Sequence, residues 1–314
     1  MKTALARALI FALAFSLFAP STLAAYPKEA APVSAEEQAL QDATVNLYCR
    51  FKVKGKTYSS TGSGVFVDSR GIILTNAHVG QYFLMTEGVD RVKGECSVRT
   101  GSPAKERYRA SVLYISPVWA KENLDQLKKK RPKGTGEGDF ALLYVTGAAK
   151  GELPLSFPAL ALGTQELVED ALGSATVAGY PAEGLSFSKT RNRLEQVTAA
   201  TNVESVRSFA QSGSDLIQLA PSAAARSGVS GGPVVSGANT LIGIATSVGS
   251  AGESGDRTLR AITLAHVNRR LSSEIGQPLA SILRSDLAAR AQATKTALGA
   301  ELITSLTKAS FGLK

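Results

Sequence analysis

Short apolar runs, each closed by a glycine, a proline or a polar turn, constrain this chain more than any other feature. They recur at residues 44–51, 62–68, 72–79, 106–116, 140–145, 175–179, 194–203, 215–219 and 241–248. Such runs suit strands of half-buried sheet. No strand–helix–strand rhythm separates them, so a parallel α/β sheet is excluded and an all-β barrel or sandwich is expected. The chain has 314 residues, 44% hydrophobic and 19% charged, enough apolar side chain to fill one large domain or two smaller ones.

Both ends of the chain read differently from this middle. Residues 1–24 have the pattern of a secretory signal peptide: Lys2 and Arg7 at the start, an apolar run from Ala8 to Ala19, and small residues around Ala24. That run is short for a membrane span, so cleavage after Ala24 or Ala25 and export to the periplasm or the medium are expected. Residues 25–43 read as a flexible leader with at most a helical turn. Residues 44–276 form the folded domain, with a closing helix near 265–275. In 277–314, Leu279, Leu283, Leu287 and Ala291, then Leu298, Leu302 and Leu306, fall at helical spacing broken near Gly299. This tail is expected to pack on the barrel; the sharper alternative is an oligomerisation or membrane-surface helix.

Export makes the two cysteines informative. Cys49 and Cys96 lie in separate strand-like runs 47 residues apart, and in an oxidising compartment they can pair; the alternative is two buried thiols. Two cysteines and two histidines without close spacing make no metal site, and no cofactor is implied. The net charge of +9 is scattered except at Lys128-Lys129-Lys130-Arg131-Pro132-Lys133, inside a polar insertion at 118–138. Solvated surface explains that cluster; an exposed lip for acidic substrate segments is the functional alternative. No nucleic-acid partner is implied.

The chemistry centres on Ser227-Gly228-Val229-Ser230-Gly231-Gly232-Pro233-Val234-Val235. Glycines let the backbone turn sharply, baring a side-chain oxygen and aiming N–H groups at one point. Two further side chains suit that serine. His78 stands where the 72–79 run gives out, and Asp139 opens a wholly apolar strand, where a carboxylate is costly unless hydrogen-bonded. A nucleophile, a base and an acid in these roles make a catalytic triad of Ser230, His78 and Asp139.

The order Thr75-Asn76-Ala77-His78-Val79, then Gly138-Asp139-Phe140-Ala141-Leu142-Leu143, then Gly228-Val229-Ser230-Gly231-Gly232-Pro233 resembles the trypsin-like (chymotrypsin-fold) serine proteases, with the bacterial HtrA-type branch nearest. The likeness runs from about Val45 to Gly276 and includes Gly62-Ser63-Gly64. It implies two six-stranded antiparallel β-barrels with the site in the cleft between them, His78 and Asp139 in the first and Ser230 in the second. The C-terminal helices are then an extension, and no PDZ domain is expected. By position the resemblance gives the oxyanion to the N–H groups of Gly228 and Ser230, and makes the Thr246 hydroxyl a support for Asp139. It puts Ala224 and Ser247 in the specificity pocket and makes polypeptides the substrates.

Two positions depart from the family pattern. Val229 stands where Asn or Asp is usual, so no activation by charge pairing with a new N-terminus is expected. Ala224 stands where tryptic enzymes carry an acid, and residues 221–225 are small and uncharged, so small or aliphatic residues are expected before the cut. Two other readings remain open. One is an exported β-barrel binding protein that keeps the fold without turnover, Val229 having misformed the oxyanion hole. The other takes Gly228-Val229-Ser230-Gly231-Gly232 as the nucleophile elbow of an α/β-hydrolase esterase with Asp256 and His266. The strand-like Pro233-Val234-Val235 speaks against the second, because an elbow leads into a helix.

Overall fold

A computed structural model describes residues 33–86, 92–127, 135–168, 173–209, 212–251 and 257–313, with side chains at 127 and 247–251 left undescribed. The signal sequence, the 25–32 part of the leader, the Lys128–Lys133 cluster and Asp256 lie outside these residues.

The first six strands close on themselves. They are β1 (Thr44–Val53), β2 (Lys56–Asp68), β3 (Ile72–Thr75), β4 (Lys93–Thr100), β5 (Lys105–Ile115) and β6 (Ala141–Ala148), ordered β1-β2-β3-β6-β5-β4. All their pairings are antiparallel. Two helices interrupt them, α2 (Ala77–Met85) after β3 and α3 (Pro117–Leu127) after β5. Cys49 and Cys96 are direct partners on β1 and β4 and form a disulfide.

A second barrel follows from β8 (Ser174–Gly179), β9 (Val197–Arg207), β10 (Leu216–Ser222), β11 (Pro233–Ser236), β12 (Thr240–Ala251) and β13 (Arg257–Thr263). Its order is β11-β8-β9-β10-β13-β12, and a β11–β12 pairing closes it. The two-residue β7 (Ala161–Leu162) adds in parallel to β12 outside the closed set. A short helix, α4 (Phe187–Asn192), joins β8 to β9. The architecture is the expected pair of six-stranded antiparallel barrels.

Each barrel has an apolar interior, and a third apolar cluster joins them. Val65, Ile72, Leu113 and Phe140 from the first barrel meet Leu216, Val235 and Ile244 from the second. Helices α5 (Leu264–Ile275) and α6 (Leu279–Leu283) add Leu264, Leu271 and Leu279 to that cluster. Strand side chains alternate between faces, so one strand can serve its own barrel with one face and the junction with the other.

Three local structures differ from the sequence reading. The end of the leader is a nine-residue helix, α1 (Ala35–Ala43), capped by the Ser34 hydroxyl and buried through Leu40. The apolar run at 72–79 is strand only as far as Thr75; His78 stands in the first turn of α2. The polar-looking stretch at 257–263 is the strand β13, paired on both sides.

The tail is helical as its spacing implies, with α7 (Leu287–Phe311) broken at Gly299, where φ is +70°. It packs on the first barrel. Leu298 and Leu306 join that barrel's apolar interior, the Thr294 hydroxyl donates to the Leu113 carbonyl at 2.8 Å, and the Phe311 ring lies 5.0 Å from Phe51, tilted against it. A buried leucine cut to alanine loses its transfer energy and leaves a cavity. Leu306→Ala is therefore expected to lower the unfolding free energy by about 2–5 kcal/mol, read from urea denaturation followed by the fluorescence of the single tryptophan. A change below about 0.5 kcal/mol, the usual range for a surface site, would show that α7 is not part of the core.

Candidate active site

His78 is placed by a helix start. β3 ends at Thr75, Asn76 takes extended backbone angles, and α2 begins at Ala77. The first N–H groups of a helix have no partner inside it. Asn76, in the capping position, does not supply one; its Nδ2 donates instead to the Asp139 carbonyl at 3.0 Å. The Asp139 carboxylate fills the gap from another strand. Its Oδ1 accepts the His78 backbone N–H at 2.9 Å, and its Oδ2 lies 2.8 Å from His78 Nδ1. One carboxylate thus caps the helix and holds the ring, at the helix end where negative charge is favoured.

Asp139 is itself fixed by its neighbours. A tight loop through Gly136 and Gly138 leads to it, and its N–H bonds to the Gly136 carbonyl. The next residue, Phe140, is fully buried and stacks on Tyr114. Asp139 Oδ2 accepts a further hydrogen bond, at 3.1 Å, from the Thr246 hydroxyl of the second barrel. Thr246 lies where the β12–β13 register shifts between Ala245 and Ser247, and such a bulge re-aims a side chain.

Ser230 lies in the turn between β10 and β11. The Ser230 Oγ donates to the Thr246 carbonyl at 3.3 Å. Ser230 and Asp139 are therefore joined through one residue, Thr246, while the imidazole is joined to Asp139 directly. The turn is braced from the first barrel. Ser63 N–H donates to the Ser230 carbonyl at 2.8 Å, and Ser63 Oγ donates to the Gly228 carbonyl at 2.8 Å while accepting the Tyr180 N–H. The fit requires glycine: a Cβ at Gly231, whose φ is +86°, would fall 2.1 Å from the Ser63 carbonyl oxygen. A Cβ at Gly228, φ +104°, would fall 2.5 Å from the Tyr180 oxygen. Among the described residues, no acceptor takes the backbone N–H of Gly228 or Ser230. Both are free to bind a negative oxygen.

The His78 ring is partly open, its side chain 38% exposed, while Asp139 is buried. Burial pulls the imidazole pKa down. The charge of Asp139 and its hydrogen bond together outweigh that, and the net shift is upward from the usual 6.5.

The other residues singled out in the sequence fall as follows. Val229 is fully buried with Ala224, Ala225 and Val177 in the second barrel's interior. Ser247 is backbone-paired with Arg260, and its side chain is among those not described. His266 is buried on α5, and its Nδ1 lies 2.7 Å from Asp215 Oδ1. Its Nε2 accepts the Gly138 N–H at 3.4 Å, beside Asp139. Burial holds this imidazole below the usual range in spite of the Asp215 carboxylate. Both ring nitrogens of His266 are engaged, by Asp215 and by the Gly138 N–H, and the strand β11 after the serine is no elbow helix, so neither feature supports the esterase reading.

Sequence reasoning missed the bracing residues. Ser63 and Asn76 sat inside motifs already quoted, but a serine between glycines and an asparagine before a helix carry no local sign of a partner on another strand. Asp215, the partner of His266, opened a strand just as Asp139 did, and that shared pattern was the available signal.

Residues 62–244, more than half of the chain, match the model of the trypsin-like peptidase domain. No curated protein sequence matches the chain. Among solved structures, the HtrA-type protease AlgW with decapeptide is 22% identical over 77% of this chain and 67% of its own, with a TM-score of 0.48. The Rv3671c protease from M. tuberculosis in its active form is 18% identical over 78% of this chain and 86% of its own, with a TM-score of 0.45. AlgW with tripeptide is 24% identical, TM-score 0.44, and the chain spans 64% of its length. The chain belongs to the family of trypsin-like peptidases, serine endopeptidases of the two-barrel fold.

Proposed function

We propose that the chain is an exported serine endopeptidase working through Ser230, His78 and Asp139. The observation that carries this reading is the Asp139 carboxylate, which receives the His78 backbone N–H, the His78 ring and the Thr246 hydroxyl at 2.9, 2.8 and 3.1 Å. That arrangement keeps a proton on Nδ1 and leaves Nε2 as the base. For attack, the Ser230 hydroxyl leaves the Thr246 carbonyl, gives its proton to His78 Nε2 and adds to the peptide carbonyl. The new oxyanion is received by the Gly228 and Ser230 N–H groups, each such donor contributing about 3–4 kcal/mol. The imidazolium, stabilised by Asp139, then protonates the leaving amine. Water repeats the sequence on the acyl-enzyme.

Export is supported by the pattern of residues 1–24 and by the Cys49–Cys96 disulfide, a bond that persists in oxidising compartments. A fluorophosphonate probe is expected to label the wild type at Ser230. Ser230→Ala should abolish labelling, and His78→Ala should abolish both labelling and casein cleavage. An unlabelled wild type that keeps its fold would favour the non-catalytic binding protein, the reading to which the Ser230–Thr246 hydrogen bond is the one pointer.

The segment before Ser230 supports a preference for small or aliphatic residues before the cut, since Ala224 and Ala225 are buried and neither carries charge. A peptide-library profile should be dominated by such residues; one dominated by Arg and Lys would overturn the preference.

The pH dependence follows from the His78 shift. The base must be neutral, so kcat/KM falls as pH drops through the His78 pKa. That pKa is raised, so the acid limb should have its midpoint above about 6.5. Asp139→Asn removes the charge that raises it; burial then acts unopposed, and the midpoint of the residual activity should move below that of the wild type. A wild-type midpoint under 6, or no movement in the variant, would count against the His78–Asp139 coupling.

A further inference from the structure

A second polar site lies where α4 meets the first barrel, apart from Ser230, His78 and Asp139. Side chains of β1, β4, β5 and α4 enclose a cavity of about 250 Å³. Cations outnumber carboxylates in its walls, five to two. Two of the cations are neutralised locally, Arg50 by Glu95 at 2.6 Å and Arg109 by Glu106 at 2.9 Å. Arg99, Lys105 and Arg191 remain, and among the described residues none of them has a carboxylate within ion-pair distance.

Arg99 is the telling member because it is only 3% exposed. A buried charge is costly unless an opposite charge or a full set of hydrogen bonds compensates it. Its Nε donates to Asn46 Oδ1 at 2.7 Å, and its terminal nitrogens donate to the carbonyls of Thr190 and Arg191 at 2.8–3.2 Å. Its face lies 4.4 Å from the centre of the Tyr48 ring. All of these partners are neutral. They orient the guanidinium without an ion pair, the Glu106 carboxylate acting on its charge only from beyond ion-pair distance, and one N–H of the second terminal nitrogen is unclaimed. Burial lowers its pKa to about 10, so it stays a cation at neutral pH. Lys105 and Arg191 stand at the same cavity with exposed side chains, able to close on a ligand.

We propose that this cavity binds the phosphoryl group of a small soluble molecule, with Arg99 at the floor and Lys105 and Arg191 at the mouth. A dianion fits better than a carboxylate because three cations without an ion-pair partner converge, and guanidinium groups match the oxygens of phosphate in pairs. The site does not depend on the peptidase reading, since its readout is binding.

Isothermal titration of the full chain in 150 mM NaCl tests it, with inorganic phosphate, glycerol 3-phosphate and acetate as separate titrants. One site per chain is expected for both phosphates, with acetate at least about tenfold weaker. Arg191→Ala and Lys105→Ala lie at exposed positions and should keep the wild-type melting temperature while weakening phosphate binding about tenfold each, the usual loss for one charged hydrogen bond. Arg99→Met should abolish binding; if it fails to fold, the two surface variants carry the test. No heat from either phosphate, equal affinity for acetate, or unchanged affinity in both surface variants would overturn the proposal.

Discussion

The Asp139 carboxylate is the point on which both barrels agree. It is buried, and burial of an unpaired carboxylate costs several kcal/mol. Its hydrogen bonds come from three places: the start of α2, the imidazole on that helix, and Thr246 on a strand of the other barrel. Each donor offsets part of the desolvation cost, so Asp139, His78 and the second barrel are held in one geometry by a shared electrostatic need. The apolar junction around Phe140, Val65 and Ile244 brings the barrels together without specifying their alignment to this accuracy. The polar contacts at its rim do so.

Ser230 is placed by a complementary device. Ser63, between two glycines on β2, uses its N–H and its hydroxyl to hold the carbonyls of Ser230 and Gly228. With those carbonyls held, the N–H groups of the same turn are left free for an oxyanion. On the opposite side, Ala182 N–H donates to the Ser227 carbonyl, and Glu183, paired with Arg257, accepts the Ser227 N–H. The turn is held at its backbone groups by both backbone and side-chain partners. Glycine at 231 is then a steric requirement of the first barrel's approach as well as of the turn's own dihedral angles.

Most of the strand framework was legible in the sequence, because alternating burial and glycine turns are local signals. The errors have local causes too. Residues 72–79 form one apolar run, and periodicity cannot tell a buried strand from a buried helix over so short a stretch, so the change at Asn76 was invisible. The strand β13 carries Arg257 and Arg260 and lacked an apolar signature; its neighbours β10 and β12 supply what it needs. At the site, His78 and Asp139, which the structure pairs, and Ser230, which it ties to Thr246, could be singled out from residue type and surroundings. The contacts of Ser63, Asn76 and Asp215 could not, since each joins segments far apart in the chain. That Arg99 has no ion-pair partner among the described residues was equally hidden, because only the fold shows that its partners are carbonyls.

The contact of α7 with the first barrel bears on how the molecule is made. Leu298 and Leu306 complete the apolar filling of strands that left the ribosome long before them. Until these two leucines arrive, part of the strands' greasy surface stays uncovered. Domains of this size pass through such incompletely packed intermediates.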